Sequence, residues 1–127
     1  MPSPIKGTIW EDSGCYVMAR VIGNAGVTIT QATIASIAYN VYALRSATPS
    51  TATQTGTLTV SSVVFDTLQT DARWTEDSTG YNFGHAVPAT WCANGGEQYR
   101  IEYLFTPTSG QPFFVIVEIF TTDVMGS

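Results

Sequence analysis

Apolar residues recur with period two along most of this chain, and the elements they predict are strands. From Gln98 to Thr106 the side chains of Tyr99, Ile101, Tyr103 and Phe105 fall on one face, and Arg100 and Glu102 on the other. The pattern resumes at Phe113. Phe113, Val115, Val117 and Ile119 then share one face, opposite Phe114, Ile116, Glu118 and Phe120, as far as Thr121. The segment between the two runs, Pro107-Thr-Ser-Gly-Gln111, is rich in turn formers, so the pair predicts a β-hairpin. Upstream, the same reasoning predicts strands over Cys15–Ile22, Ile34–Leu44, Gly56–Val60, Val63–Leu68 and Gly80–Val87. Val27–Thr30 reads as an edge piece after the turn Gly23-Asn-Ala-Gly26.

The breaks fit the same picture. Ala47–Thr55 is a polar loop with an exposed tip, Ser61 and Ser62 interrupt two strands, and Pro88 stops another. Thr67–Asp77 has poor helical periodicity and reads as a loop with at most one helical turn. A parallel sheet would need crossover helices of about a dozen residues, and no window supplies them. Seven to eight short strands with turn signals between them therefore predict an all-β antiparallel sandwich in one domain. Residues 14–124 form that domain. Residues 1–13, with two prolines and a glycine, are expected to be an extended N-terminal arm.

Composition narrows the function. The chain has 127 residues, 44% of them hydrophobic and only 12% charged, about half the usual charged share. It holds 19 Thr and a single Lys, Lys6. Five basic against ten acidic residues give a net charge of −5. Lys6, Arg20, Arg45, Arg73 and Arg100 are scattered, so the clustered basic footprint of a nucleic-acid binder is missing. No apolar run reaches the length of a membrane helix. No secretory h-region precedes the domain. The expected partners are therefore neither nucleic acid nor membrane.

Few residues could carry chemistry. The single His, His85, sits on a predicted strand with no GxSxG elbow or other partner motif, and reads as a packed or hydrogen-bonded side chain. Cys15 and Cys92 show no CxxC or metal-ligand spacing. They are either buried small hydrophobes or a disulfide between distant strands; without a secretory signal, reduced thiols are favoured. Glu11-Asp12 and Glu76-Asp77 are adjacent pairs, whose side chains diverge on extended chain. Asp71, Glu76, Asp77 and Asn82 could gather around Ca²⁺, but no D-x-D-x-D-G spacing supports it, and solvated loop acids are the better reading. Gly95-Gly96 is a turn pair, not a phosphate loop. No catalytic site, cofactor or metal is expected, and the chain reads as non-enzymatic.

The aromatics divide similarly. Tyr39, Tyr99 and Tyr103 fall on inward faces and read as core. Trp74 and Trp91 lie in predicted loops and are the exposed anchors, with Trp10 in the arm as a third partner-binding residue. They suit either a sugar-stacking platform or a protein contact.

Two segments carry a family resemblance. The first is Leu58-Thr-Val-Ser-Ser-Val-Val-Phe-Asp66, running to Trp74 and then Asp77-Ser-Thr-Gly-Tyr-Asn-Phe-Gly-His-Ala-Val-Pro88. The second is Gly95-Gly-Glu-Gln-Tyr-Arg-Ile-Glu-Tyr-Leu-Phe-Thr-Pro-Thr-Ser-Gly110, followed by a hydrophobic strand. The order is a G-Y-x-F strand, a V-P turn, a G-x-x-Y run leading into a strand, and a hairpin closed near Gly. Over about residues 27–121 it resembles small immunoglobulin-like (Ig-like) domains of tailed-phage and prophage virion proteins, including the N-terminal domain family of baseplate upper proteins. A Tyr that opens a late strand after a Gly turn also matches the corner where strands E and F of such sandwiches meet. The Cys…Trp…Cys set of antibody domains is missing.

The resemblance implies a single Ig-like sandwich in a bacteriophage virion structural protein, assembled in the host cytoplasm. The preferred role is a head decoration (capsid cement) protein bound to the major capsid protein. It implies a homo-oligomer, with a trimer common among cement proteins. A tail, neck or baseplate component is the second position, and a carbohydrate-binding module using Trp74 and Trp91 is the reading from another class. Low surface charge suits burial in subunit contacts, whose cores are depleted in Lys, Glu and Asp.

Overall fold

The structure is a computed structural model that describes residues 5–23 and 26–124. Eight strands form two sheets. They are β1 (Ile5–Trp10), β2 (Cys15–Ala19), β3 (Ile34–Ala43), β4 (Gln54–Leu58), β5 (Val64–Gln69), β6 (Tyr81–Val87), β7 (Gln98–Pro107) and β8 (Phe113–Thr122). One sheet has the order β1-β8-β7-β3-β4, and the other β2-β6-β5. This is the strand order of an Ig-type sandwich. β3, β7 and β8 occupy the places of C, F and G with β4 added as C′, and β2, β6 and β5 occupy those of B, E and D.

The alternation read in the sequence is what closes the core. In the β7–β8 hairpin Ile101 pairs with Val117, Tyr99 with Ile119 and Phe105 with Phe113. Ile37, Val41, Phe83, Ile101, Tyr103 and Phe105 have no measurable exposure. Phe83 meets Tyr103 and Phe105 edge to face, with ring centroids 5.0 and 5.2 Å apart, the geometry aromatic quadrupoles favour. Tyr99 opens β7 as expected for the corner between the sixth and seventh strands. Its hydroxyl accepts the Asn94 N–H at 2.9 Å. Ile101, two residues on, fills the place where antibody domains carry a Cys.

Three expectations are corrected. The arm is a strand over Ile5–Trp10: β1 pairs with β8, in parallel, from Ile5 opposite Val117 to Trp10 opposite Thr122. The sandwich is therefore not wholly antiparallel. The two prolines and the glycine masked an alternation of Ile5, Gly7 and Ile9 that needs β8, more than a hundred residues away, to become a strand. Residues 1–4 of the expected arm lie outside the described residues, as do Asn24 and Ala25 of the Gly23–Gly26 turn. The Val27–Thr30 edge piece contributes one isolated bridge, Ile22 to Thr28. Around Ser61 and Ser62 the chain makes a one-turn helix, α1 (Val60–Val63), which sets Val63 into the core.

Gly84 shows how β6 fits the middle of its sheet. A Cβ there would collide with the ring of Tyr16. The side chain of Tyr16, one strand over, thus covers the backbone of β6 only because residue 84 has none.

Candidate functional site

The three tryptophans proposed as contact residues end up in three different places. Trp10 is 61% exposed at the end of the edge strand β1. Trp74 is half-buried in the β5–β6 loop. Its ring lies against Tyr81 at 5.5 Å, and its Nε1–H donates to Asp77 Oδ1 at 2.9 Å. Trp91 is 6% exposed and belongs to the core. After Pro88 the chain makes a 3₁₀ turn over Ala89–Cys92, which rolls Trp91 inward onto Tyr39 at 4.4 Å and His85 at 5.2 Å. The expectation of an exposed Trp91 is corrected. Loops usually run over the surface, but a one-turn helix after Pro can aim a side chain into the core. A flat platform built from Trp74 and Trp91 does not exist.

His85 is buried. Its Nδ1 lies 2.8 Å from the Tyr103 hydroxyl, and its ring meets Tyr103 edge-on and Trp91 obliquely. Burial lowers its pKa, so the imidazole is held neutral. The same burial raises the Tyr103 phenol. The two groups satisfy one another inside the core, as the sequence reading of a hydrogen-bonded strand His expected. Cys15 and Cys92 are both free thiols. Burial raises Cys15 and pushes Cys92 up to about 12, which leaves little nucleophilic thiolate near neutrality.

The acidic group considered for Ca²⁺ is divided among other partners. Asp71 receives the Tyr81 hydroxyl at 2.5 Å and the Arg73 guanidinium at 3.1 Å. Those bonds, Arg73 first, hold its carboxyl down at about 2. Asp77 caps the turn by accepting the backbone N–H of Gly80 and of Thr79, both at 3.0 Å, and pairs with Arg20 at 2.7 Å. Its carboxyl lies well below the usual range, chiefly through the Gly80 N–H. Asn82 does not join them. It is buried, donates to the carbonyls of Val21 and Ile29, and accepts the Val21 N–H at 2.7 Å. Among the described residues no three His, Cys, Asp or Glu side chains converge as metal ligands.

The distinctive surface feature is a seam between the sheets, where β1 and β2 face each other without pairing. A cleft of about 600 Å³ runs there, walled by residues 5–9 of β1, residues 15–20 and the loop stretch 73–76. A second, of about 650 Å³, continues past Ile5, Ala19 and Arg20 to Ile22, Phe114 and Ile116. Three side chains around this second opening are large, apolar and solvent-facing: Phe114 at 56%, Ile22 at 54% and Ile5 at 37% exposure. Val27, 66% exposed, stands just beyond the Ile22–Thr28 bridge. Sequence reading missed this seam because each residue looks ordinary in its own strand. Only the pairing of β1 with β8, instead of β2, opens it.

On the outer face of the larger sheet, Arg100 binds Glu102 at 2.8 Å and Glu118 at 3.2 Å. Lys6 lies beside Glu118 in the neighbouring register position. Arg100, Glu102 and Glu118 on that face are thus spent on one another. No family model matches the chain, and neither the curated proteins nor the solved structures give a significant match.

Proposed function

We propose that this chain is a non-enzymatic bacteriophage virion structural protein, a head decoration protein docked on the major capsid lattice. The observation that carries an assembly role is the apolar surface at the open seam. Ile5, Ile22 and Phe114 are large, solvent-facing and grouped around one cleft. Contiguous exposed apolar surface on a small domain marks a contact with another molecule. The low charge and the internally paired Arg100, Glu102 and Glu118 support the same reading, because interface cores are poor in free charges. The phage assignment itself rests on the sequence resemblance and on the Ig-type strand order that agrees with it. A tail, neck or baseplate position is the second placement. The carbohydrate module loses its support with the burial of Trp91.

Mass spectrometry of purified virions, separated into heads and tails, tests the proposal. The chain should appear in the head fraction at a copy number comparable to the capsid protein. Recovery in tails alone would move it to the second placement. Absence from both fractions would overturn the virion role.

A further inference from the structure

We propose that the outer edge of β2 is a strand-addition site, taking an extended partner segment that is apolar on alternate residues and acidic between them. The inference rests on the assembly role above only in taking the occupant to be a polypeptide.

The topology supplies the vacancy. In an Ig-type sandwich the sheet containing strands B, E and D has strand A beside B. Here the first strand pairs with β8 instead, and β2 is left as the end of a three-stranded sheet. Among the described residues, no other strand is hydrogen-bonded along its outer side. Unpaired N–H and C=O groups on such an edge are a template for another strand, and natural sheets blunt their edges with charges, prolines, bulges or polar short strands. Three of the four sheet edges here follow that rule. β1 carries Lys6, β4 is polar around Gly56, and β5 carries Asp66 and an irregular register between Val64 and Gln69. β2 reads Cys-Tyr-Val-Met-Ala, with no charge, proline or glycine. Its edge is the unprotected one.

The cleft beside it has a strand's dimensions. Its walls follow residues 5–9 of β1 and the whole of β2, roughly 17 Å for five residues at ~3.3 Å each. Its floor reaches Val17, Ala19, Val117 and Ile119, all core residues. An added strand would therefore bury alternate side chains on apolar surface while its backbone pairs with β2, the mode of recognition known as β-augmentation.

Charge selects the occupant. The charged residues lining the cleft are Lys6, Arg20, Arg73 and Glu76, three cations to one anion in a molecule of net charge −5. Each cation has a carboxylate near it, Glu118 opposite Lys6, Asp77 on Arg20 and Asp71 on Arg73, and none of the three lines the cleft. A second copy offering its own β2 edge would set the same three cations against themselves. A strand with carboxylates on its solvent side meets them favourably.

The test is hydrogen–deuterium exchange on the full chain with a synthetic peptide alternating Glu and Val over about nine residues, at millimolar concentration. Amides of Cys15–Arg20 should exchange at least about tenfold more slowly with peptide. A peptide of the same composition in Glu and Val blocks should have no effect, and a Lys–Val alternation should be much weaker. Lys6→Glu and, separately, Arg73→Gln should each weaken protection in proteins whose melting shows them folded. The proposal is overturned by unchanged exchange in β2, by equal protection from the Lys–Val peptide, or by protection confined to the outer face around Leu104 and Phe120. It is equally overturned if sedimentation shows that β2 is protected by self-association alone. Peptide protection in a chain absent from virions would leave this site standing and remove only the phage role. A virion protein whose β2 stays unprotected would remove only the site.

Discussion

The two long sides of this sandwich are built on opposite terms. On the side of β3, β7 and β6 the core is interlocked: Phe83, Tyr103 and Phe105 meet edge to face, Trp91 packs on His85, and the buried polar atoms of His85 and Asn82 are satisfied. On the side of β1 and β2, core residues such as Val17 and Ile119 floor an open cleft. Both sides are made of the same alternating strands. The difference lies in what the strand edges meet. Where neighbouring strands pair, alternation closes a core; where β1 leaves β2 for β8, the same alternation leaves a surface. Perturbing the interlocked side should therefore damage stability, and perturbing the open side should change contacts with little effect on folding.

The largest effect is expected at Trp91. Trp91→Ala removes the ring that covers Tyr39 and His85, and large aromatic deletions in cores cost about 3–5 kcal/mol. Chemical denaturation should show that loss, whereas Trp10→Ala, on the open side, should move the midpoint only marginally. Comparable losses at the two positions would dissolve the contrast between interlocked and open sides.

Asn82→Ala comes next. It strips the buried Val21 N–H of its acceptor, while the Val21 carbonyl keeps the Ile29 N–H, and an unsatisfied buried group costs about 1–3 kcal/mol. Native-state exchange should rise at Val21 specifically. Tyr99→Phe should cost less, about 1 kcal/mol for a single hydrogen bond, and should free the Asn94 amide to exchange. An unaltered Asn94 would show that the corner is held by packing alone.

His85 adds a pH dependence with a definite sign. Its folded pKa is depressed by burial, so in mildly acid solution the unfolded chain binds the extra proton. Its contribution is complete above the ordinary His value near 6.5 and is lost as the pH falls through the folded pKa. Tyr103→Phe removes the hydroxyl facing Nδ1, and the acid limb of stability below pH ~6.5 should change shape in that variant. A wild-type denaturation midpoint that stays flat from neutral pH down to the carboxylate range would sink the buried-neutral assignment.

How much of this was legible beforehand follows the same division. The strands β3, β7 and β8 could be read residue by residue, because period-two alternation is local and both faces declare themselves. Tyr39, Tyr99 and Tyr103 were placed inward for the same reason. β1 was not legible, since Ile5 and Ile9 become strand positions only by pairing with Val117 and Thr121. Trp91 was misplaced because a loop position says nothing about direction until the 3₁₀ turn after Pro88 is known. The seam was invisible to sequence because it depends on which partner an edge strand chooses, and pairing across the whole chain leaves no local mark.

The smallest predicted effect sharpens the position of Trp74, which lies between the two sides. Its indole N–H is one of the donors that keep Asp77 ionised, alongside Gly80, Arg20 and Thr79. Trp74→Phe should retain the contact with Tyr81 while removing only that donor. The Asp77 carboxyl should then titrate at a higher pH than in the wild type, yet still below an ordinary carboxylate, because the Gly80 and Thr79 amides and Arg20 remain. A depressed carboxylate pKa gives stability that is present above the unfolded value near 3.9 and lost as pH falls through the folded one. Stability should thus drop slightly at neutral pH, and the difference from wild type should fade as the pH falls below about 3.9. Carboxyl resonances followed by NMR through the acid range decide it. If Asp77 does not shift, the turn amides alone hold the carboxylate, and Trp74 is left as a ring resting on Tyr81, available for contact on the open side.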